Sequence, residues 1–190
     1  MILEGIVTTV GANGALNIAP MGPLVDAELR RFVLRPFRSA QTYHNLKAHG
    51  EGVFHVTDDV LLFAQAAVGS IAPLPALTPA TKVRGKILKD ACRFYEFRVQ
   101  QLDDSQERTQ IEVEVVAGGR QRDFFGFNRA KHAVVEAAIL ATRLHFLPRA
   151  DVQAEMHRLL APVEKTGGEQ ELKAFRFLQD YIDRYEQKQT

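Results

Sequence analysis

The chain has a single cysteine, almost no surplus of charge and no long apolar run, and each shortage excludes something. Cys92 alone rules out an intramolecular disulfide and a multi-cysteine metal centre, which fits a reducing compartment and leaves it the role of a small packed residue. Twenty-four Lys and Arg against 23 Asp and Glu leave a formal net charge of +1. No global field therefore draws in nucleic acid or an anionic membrane, and an anionic ligand has to be held locally. The start, MILEGIVTTVG, lacks the basic opening and apolar stretch of a signal peptide, and no later run approaches membrane-spanning length. The expectation is a cytoplasmic protein with no membrane contact. The Gly-rich dinucleotide fingerprint of a nicotinamide-binding Rossmann unit is missing, as are internal repeats and low-complexity tracts.

What is present is an ordinary globular composition, 46% hydrophobic and 25% charged over 190 residues, enough for a real core. The first half reads as short strands. Ile2 to Val10 and Ala15 to Val25 flank the turn GANG as a hairpin, and RRFVLRP follows from Arg30. SAQTYHNLKAHG reads as a short helix with Ser39 as cap and Gly50 as stop. GVFHVT then reads as a strand, and DDVLLFAQAAVG as a helical turn or two opened by Asp58 or Asp59. Three prolines in SIAPLPALTPATK bar both a helix and a central strand, so residues 70–82 read as a surface loop. RFYEFRVQQ and TQIEVEVV form an antiparallel pair across LDDSQER. Tyr95, Phe97 and Val99 share one face, and Ile111, Val113 and Val115 turn inward with Glu112 and Glu114 outward.

From Arg129 the period changes from two to about 3.6. Ala130, Val134, Ala137, Ala141 and Leu144 form one stripe, capped by Asn128 and stopped by Pro148. A second helix from Asp151 carries Val152, Met156, Leu159 and Leu160 and is expected to break around Pro162. Leu172, Phe175, Leu178, Ile182 and Tyr185 mark a third. Strands first and helices last make an α+β protein of six or seven antiparallel strands, best arranged as a closed or partly closed barrel over 1–127. The helical appendage, 128–190, needs a partner surface on its own barrel or on another subunit.

Two stretches carry the candidate chemistry. In NIAPMGPLV, alternation puts Asn17, Ala19 and Met21 on one side and Ile18, Pro20 and Gly22 on the other, so neither face is uniformly apolar. A planar ligand along such a strand explains small residues and a proline; an edge strand with a bulge explains them too. In LRPFRSAQTYHNL, Arg35 and Arg38 stand beside Ser39, Gln41 and Thr42 where a strand passes into a helix N-terminus. Unpaired backbone donors, guanidiniums and hydroxyls together suit a phosphate dianion, and the plainer reading is a cap with solvated arginines. Elsewhere, His132 and Glu136 sit four apart without a third metal ligand, and a surface ion pair is the simpler reading. Of His44, His49 and His55, His55 is the best placed to line a site. Asp58 and Asp59 suit either a substrate amine or a cap, and Asn128, Arg129 and Lys131 either an anion or a cap.

In succession, NIAPMG, RPFRSAQTYHNL, VFHVTDD and FNRAKHAVVEAAILATRL resemble the DUF447 family of FMN-binding split-barrel proteins, relatives of the flavin reductase and pyridoxamine phosphate oxidase-like folds. The resemblance covers nearly the whole chain. It implies an antiparallel split β-barrel that forms a homodimer with FMN at the interface. Asn17, Ala19, Pro20 and Met21 would then lie along the isoalloxazine, and Arg35, Ser39 and Thr42, with Arg38 and Gln41, near the phosphate. It further implies an FMN-dependent oxidoreductase acting on a small molecule, with NAD(P)H as a transient reductant and, by association, a pterin-linked one-carbon substrate. A non-catalytic flavin carrier, sensor or structural dimer is the alternative. No side chain is singled out as a general acid or base.

Overall fold

The two periodicities separate cleanly in the computed structural model, which describes residues 1–187 apart from the side chain of Glu186. Residues 188–190, the end of the helical segment expected from 128 to 190, lie outside the described residues. The chain forms two units: Met1–Thr57 with Pro75–Phe124, and Asp58–Leu74 with the chain from Phe125 onward.

The first unit holds nine strands and one helix: β1 (Gly5–Val10), β2 (Leu16–Met21), β3 (Leu24–Val25), β4 (Arg31–Leu34), α1 (Gln41–His49), β5 (Glu51–Val56), β6 (Leu77–Pro79), β7 (Lys86–Leu88), β8 (Arg93–Asp103) and β9 (Gln110–Arg120). Seven of the strands make one antiparallel sheet in the order β2-β1-β5-β8-β9-β4-β3. Its β3 end meets the segment leading into β1: Ile2 bridges Leu24, Leu3 N donates to Pro23 O (3.1 Å), and Val25 N to Met1 O (2.9 Å). The sheet is thus a split barrel, with β2 paired on one side only. Its core is Val7, Phe32, Leu34, Leu46, Phe54, Phe97, Ile111 and Val113, drawn from inward positions of alternating strands and from α1.

Several local expectations change. The run from Ala15 to Val25 is two strands, because the chain turns at Gly22 and Pro23 to pair β3 with β4. A Cβ on Gly22 would lie 2.7 Å from a Glu4 carboxylate oxygen and 2.9 Å from the Ile2 side chain, so a larger residue there would have to displace these two exposed side chains. The surface loop over 70–82 contains the short strand β6, paired only with β7, and Pro79 closes it. Helix α1 begins with Ala40 as its N-cap residue and no side-chain cap bond, so Ser39 does not cap it. Its C-terminus is as expected: Gly50, at φ 65°, adopts the left-handed conformation and donates to Leu46 O (2.8 Å).

The second unit is helical: α2 (Val60–Ala67), α3 (Arg129–Ala141), α4 (Arg149–Thr166) and α5 (Glu169–Gln187). Asp59 caps α2 by accepting from Leu62 N (3.0 Å), and Asn128 caps α3 by accepting from Lys131 N (3.1 Å). The stripe Ala130, Val134, Ala137 and Ala141 is buried, together with Val152, Met156 and Val163 of α4 and Ala174, Phe175, Leu178 and Ile182 of α5. Much of the apolar face expected to need a foreign surface is therefore covered within the helical unit. Leu144 falls beyond the end of α3 and is half-buried. Contrary to expectation, α4 runs unbroken through Pro162. A proline there forfeits one backbone bond, yet the buried Val152, Met156 and Val163 hold the helix together.

Candidate functional site

The two candidate stretches meet through side chains that belong to three elements. Asn17 Nδ2, on β2, donates to Thr42 Oγ1 on α1 (3.0 Å) and to Thr9 Oγ1 on β1 (3.3 Å). Asn45 Nδ2 donates to the same Thr9 oxygen (3.0 Å), and Gln41 Nε2 to Asn45 Oδ1 (2.7 Å). The network fixes the first turn of α1 against the β1–β2 hairpin. Thr9 and Asn45 were not among the candidates; both are buried, and only the register Thr9↔Asn17 and the helical step from Gln41 to Asn45 could have suggested them. Thr42 is itself 2% exposed, so its hydroxyl acts by holding Asn17.

Ala19, Pro20 and Met21 continue β2 as half-buried residues opposite Val7, Ile6 and Gly5. Because β2 is the edge of the sheet, its outer backbone groups have no strand partner, and Pro20 is tolerated there. Arg35, just past β4, is half-buried, and its Nε is buried without a hydrogen-bond partner. A buried guanidinium nitrogen left in that state costs free energy unless an acceptor arrives. The first turn of α1 carries no acidic residue and no side-chain cap bond, so its backbone donors remain available six residues along the chain. Arg38 and Ser39 are exposed. Arg38 N donates to Glu107 O (2.8 Å), and its charge adds to the pull on Asp104.

Asp104 is a second feature that strand alternation does not show. Its Oδ2 accepts from Lys47 Nζ (2.6 Å) and Tyr43 OH (2.6 Å), which tie α1 to the β8–β9 connection. Those two bonds, Lys47 first, hold its carboxyl down at about 2.

Of the remaining candidates, His49 also has a buried nitrogen, Nε2, without a hydrogen-bond partner, and His55, Asp58 and Lys131 are structural. His55 is wholly buried: Leu88 N donates to its Nε2 (3.1 Å), so the proton sits on Nδ1, 3.1 Å from Ile6 O. Burial outweighs the Ile6 carbonyl and lowers its pKa to about 4, so this ring is neutral and lines no site. Asp58 accepts from Phe125 N (2.7 Å), and Lys131 Nζ binds Glu171 Oε1 (2.7 Å) and Asp58 O (2.8 Å). The opening of α3 therefore spends its donors internally. His132 packs its ring edge-on with Phe127. His44 stacks edge-on with Tyr43. Neither of two cavities in the barrel unit is lined by Asn17, Ala19, Pro20, Met21, Arg35, Arg38, Ser39, Gln41 or Thr42. The larger, about 600 Å³, lies on the β3–β4–β9 side by Asp26, Arg31, Glu112 and Glu114. Among the described residues no helix is long and apolar enough to cross a membrane, and no cluster of three His, Cys, Asp or Glu could hold a metal.

This architecture is the split barrel of flavin reductase-like proteins. It superposes on a crystal structure of an FMN-bound DUF447 protein from Methanosarcina mazei with a TM-score of 0.81, at 21% identity over 95% of this chain and 94% of that one. The 2-nitrobenzoate 2-nitroreductase of Pseudomonas fluorescens gives 0.54 at 21% identity, over 62% of this chain and 64% of that one. Flavoredoxin from Methanosarcina acetivorans gives 0.54 at 12% identity, over 63% and 68%. No curated protein matches the chain significantly. Residues 3–122 match the family described as "Protein of unknown function (DUF447) N-terminal domain" and residues 128–180 its C-terminal counterpart. The chain belongs to the DUF447 family.

Proposed function

We propose that the protein binds FMN at the β2–α1 surface as a homodimer and is an oxidoreductase that transfers hydride or electrons to a small molecule, taking them from NAD(P)H. The observation that carries this reading is the buried, partnerless Nε of Arg35, six residues before a helix whose first turn has open donors. A phosphate dianion satisfies both, and Arg38, Ser39 and Gln41 border the same turn. The open edge of β2 offers backbone groups to a flat ring along Asn17, Ala19, Pro20 and Met21, while Thr42 and Thr9 fix the Asn17 amide. The FMN-bound DUF447 relative supports the cofactor, and the flavin reductase-like neighbours support the redox role. The flavin supplies the redox chemistry when bound; the chain's residues bind, orient and shield it. No residue in the structure argues for a pterin acceptor.

The deciding measurement is the absorbance spectrum and mass of the ligand released from native protein. FMN is expected, with bleaching of the bound colour on addition of NAD(P)H. A protein that takes up no FMN overturns the binding, and colour that persists with NAD(P)H overturns the reductase. Arg35→Ala should weaken FMN binding by roughly 10- to 100-fold, the worth of one charge-assisted hydrogen bond. Thr42→Ala, which acts only through Asn17, should cost about tenfold or less. Fluorescence titration with FMN reads both, and unchanged affinity in Arg35→Ala removes the phosphate from this position.

A further inference from the structure

The smaller cavity of the barrel unit, about 370 Å³, lies where β8 begins and β9 ends. Arg93, Arg120 and Arg122 line it, and Asp123 is the one acid that does. Three guanidiniums against one carboxylate is a local excess in a chain whose formal net charge is +1. Arg93 and Arg120 are also direct partners in the β8–β9 ladder. Like charges so opposed repel, and the sheet gains nothing from them.

Two of the arginines are tethered by their neighbours. Arg120 Nη2 lies 3.0 Å from Asp123 Oδ1, Arg122 Nε donates to Asp90 O (2.8 Å), and Arg122 Nη1 donates to Asp123 O (3.1 Å). A guanidinium has five N–H donors, so the one ion pair at Arg120 orients its fork without using it up. Arg93 has no acidic partner among the described residues. All three positions carry the planar fork that matches phosphate oxygens in pairs, and Phe124, 49% exposed, adds a flat apolar wall. The volume suits a small ligand.

We infer that this cavity is an anion site for a small organic phosphate, whose phosphate lies among Arg93, Arg120 and Arg122 and whose ring lies on Phe124. It is distinct from the flavin surface, since no candidate flavin residue lines it. The sheet register also gives it a direction. One transverse row runs Pro20, Ile6, His55, Phe94 and Gly119, and Arg93 and Arg120 stand in the next row on the Met21 side. On the flavin reading, and resting on it, that is the ring end of the flavin and away from Thr42, the end a reaction partner approaches. The anion site itself does not depend on that reading.

Calorimetric titration of the full chain at low salt, with and without FMN, tests this with pyrophosphate and ADP as probes. Both should bind, and Arg93→Gln/Arg120→Gln should weaken both at least about tenfold while leaving FMN affinity unchanged. That double variant should fold at least as stably as the parent, because it removes a like-charge pair. Phe124→Ala should weaken ADP but not pyrophosphate. The proposal is overturned by no binding up to about 10 mM. It is equally overturned if the Arg93/Arg120 variant binds both probes as the parent does, or if Arg158→Gln/Arg176→Gln, which removes the same charge from α4 and α5, causes the same loss. Weakened FMN affinity in the Arg93/Arg120 variant would assign these arginines to the flavin instead, and equal loss of ADP and pyrophosphate in Phe124→Ala would remove the ring contact.

Discussion

Replacing Glu96 with alanine is expected to destabilise the barrel unit by about 3–4 kcal/mol, a fall of roughly 10 °C in melting temperature. Glu96 is fully buried, and its carboxylate gathers the segment between β6 and β7. Thr81 N reaches both oxygens (3.0 and 3.1 Å), and Thr81 Oγ1 (3.1 Å), Lys82 N (2.6 Å) and Val83 N (3.2 Å) complete the set. Alanine removes the charged acceptor of three backbone donors, of which the Val83 N–H belongs to a buried residue. Burial pushes the Glu96 pKa up, but the bonds from Thr81, Lys82 and Val83 more than reverse it, so the folded value lies below the ordinary 4.5. Its contribution is complete above the unfolded pKa and is lost as pH falls through the folded one. His55 acts earlier on the same side. Its folded pKa of about 4, against 6.5, makes its neutral form stabilising above 6.5, and that stability drains away as pH falls from 6.5 towards 4. Melting temperature measured from pH 8 to pH 3 should therefore decline in two stages, and Glu96→Ala should keep the first and show a smaller second, the remainder coming from the depressed carboxyls of Asp104 and Glu171. A variant that melts with the parent would mean the carboxylate holds nothing.

Lys131→Met is expected to cost the helical unit about 3–5 kcal/mol. The Lys131–Glu171 pair is largely out of water, with side chains 13% and 9% exposed. Burial raises the Glu171 pKa, while Lys131 and the Gly168 N–H (2.8 Å) lower it further, leaving a net depression. Without Lys131 the carboxylate keeps one strong donor, and Asp58 O loses its ammonium. The double variant Lys131→Met/Glu171→Leu should recover most of the loss, because no charge is then left unpaired. Helical circular dichroism during urea unfolding measures both. Equal stability of Lys131→Met and the parent would show that the pair is solvated.

Much of this architecture is legible in alternation and helical spacing. Ile111 and Val113 turn inward as their period demands, and Ala130, Val134, Ala137 and Ala141 bury on one stripe. Glu96 escapes such reading because β8 is covered on both faces: Phe97 turns to the barrel core, while Glu96, beside Val53, turns to the segment between β6 and β7, a cover that alternation along one strand does not reveal. Pro162 misleads because packing at Val163 outweighs a local penalty, and Ser39 because the helix opens one residue later at Ala40. Within the candidate site, residue types in NIAPMG and RPFRSAQTY pick out Asn17, Arg35 and Thr42. That Asn17 and Thr42 bond each other depends on how α1 lies against β1 and β2, contacts between elements that no local window contains. The arginine cavity is invisible for the same reason: Arg93 and Arg120 are far apart in sequence and become neighbours only through the ladder.

The helical unit takes α2 from the middle of the chain and α3, α4 and α5 from its end. Leu62 and Phe63 of α2 are buried, and α2 packs on α3 and α5. One scission after Phe124 would therefore not release an intact barrel: it would leave a sticky orphan helix of exposed leucine and phenylalanine, prone to aggregate. Gene fragments that mean to separate the two halves have to remove 58–74 along with the tail, and a shuffling event at a single junction could not have exchanged the helical part.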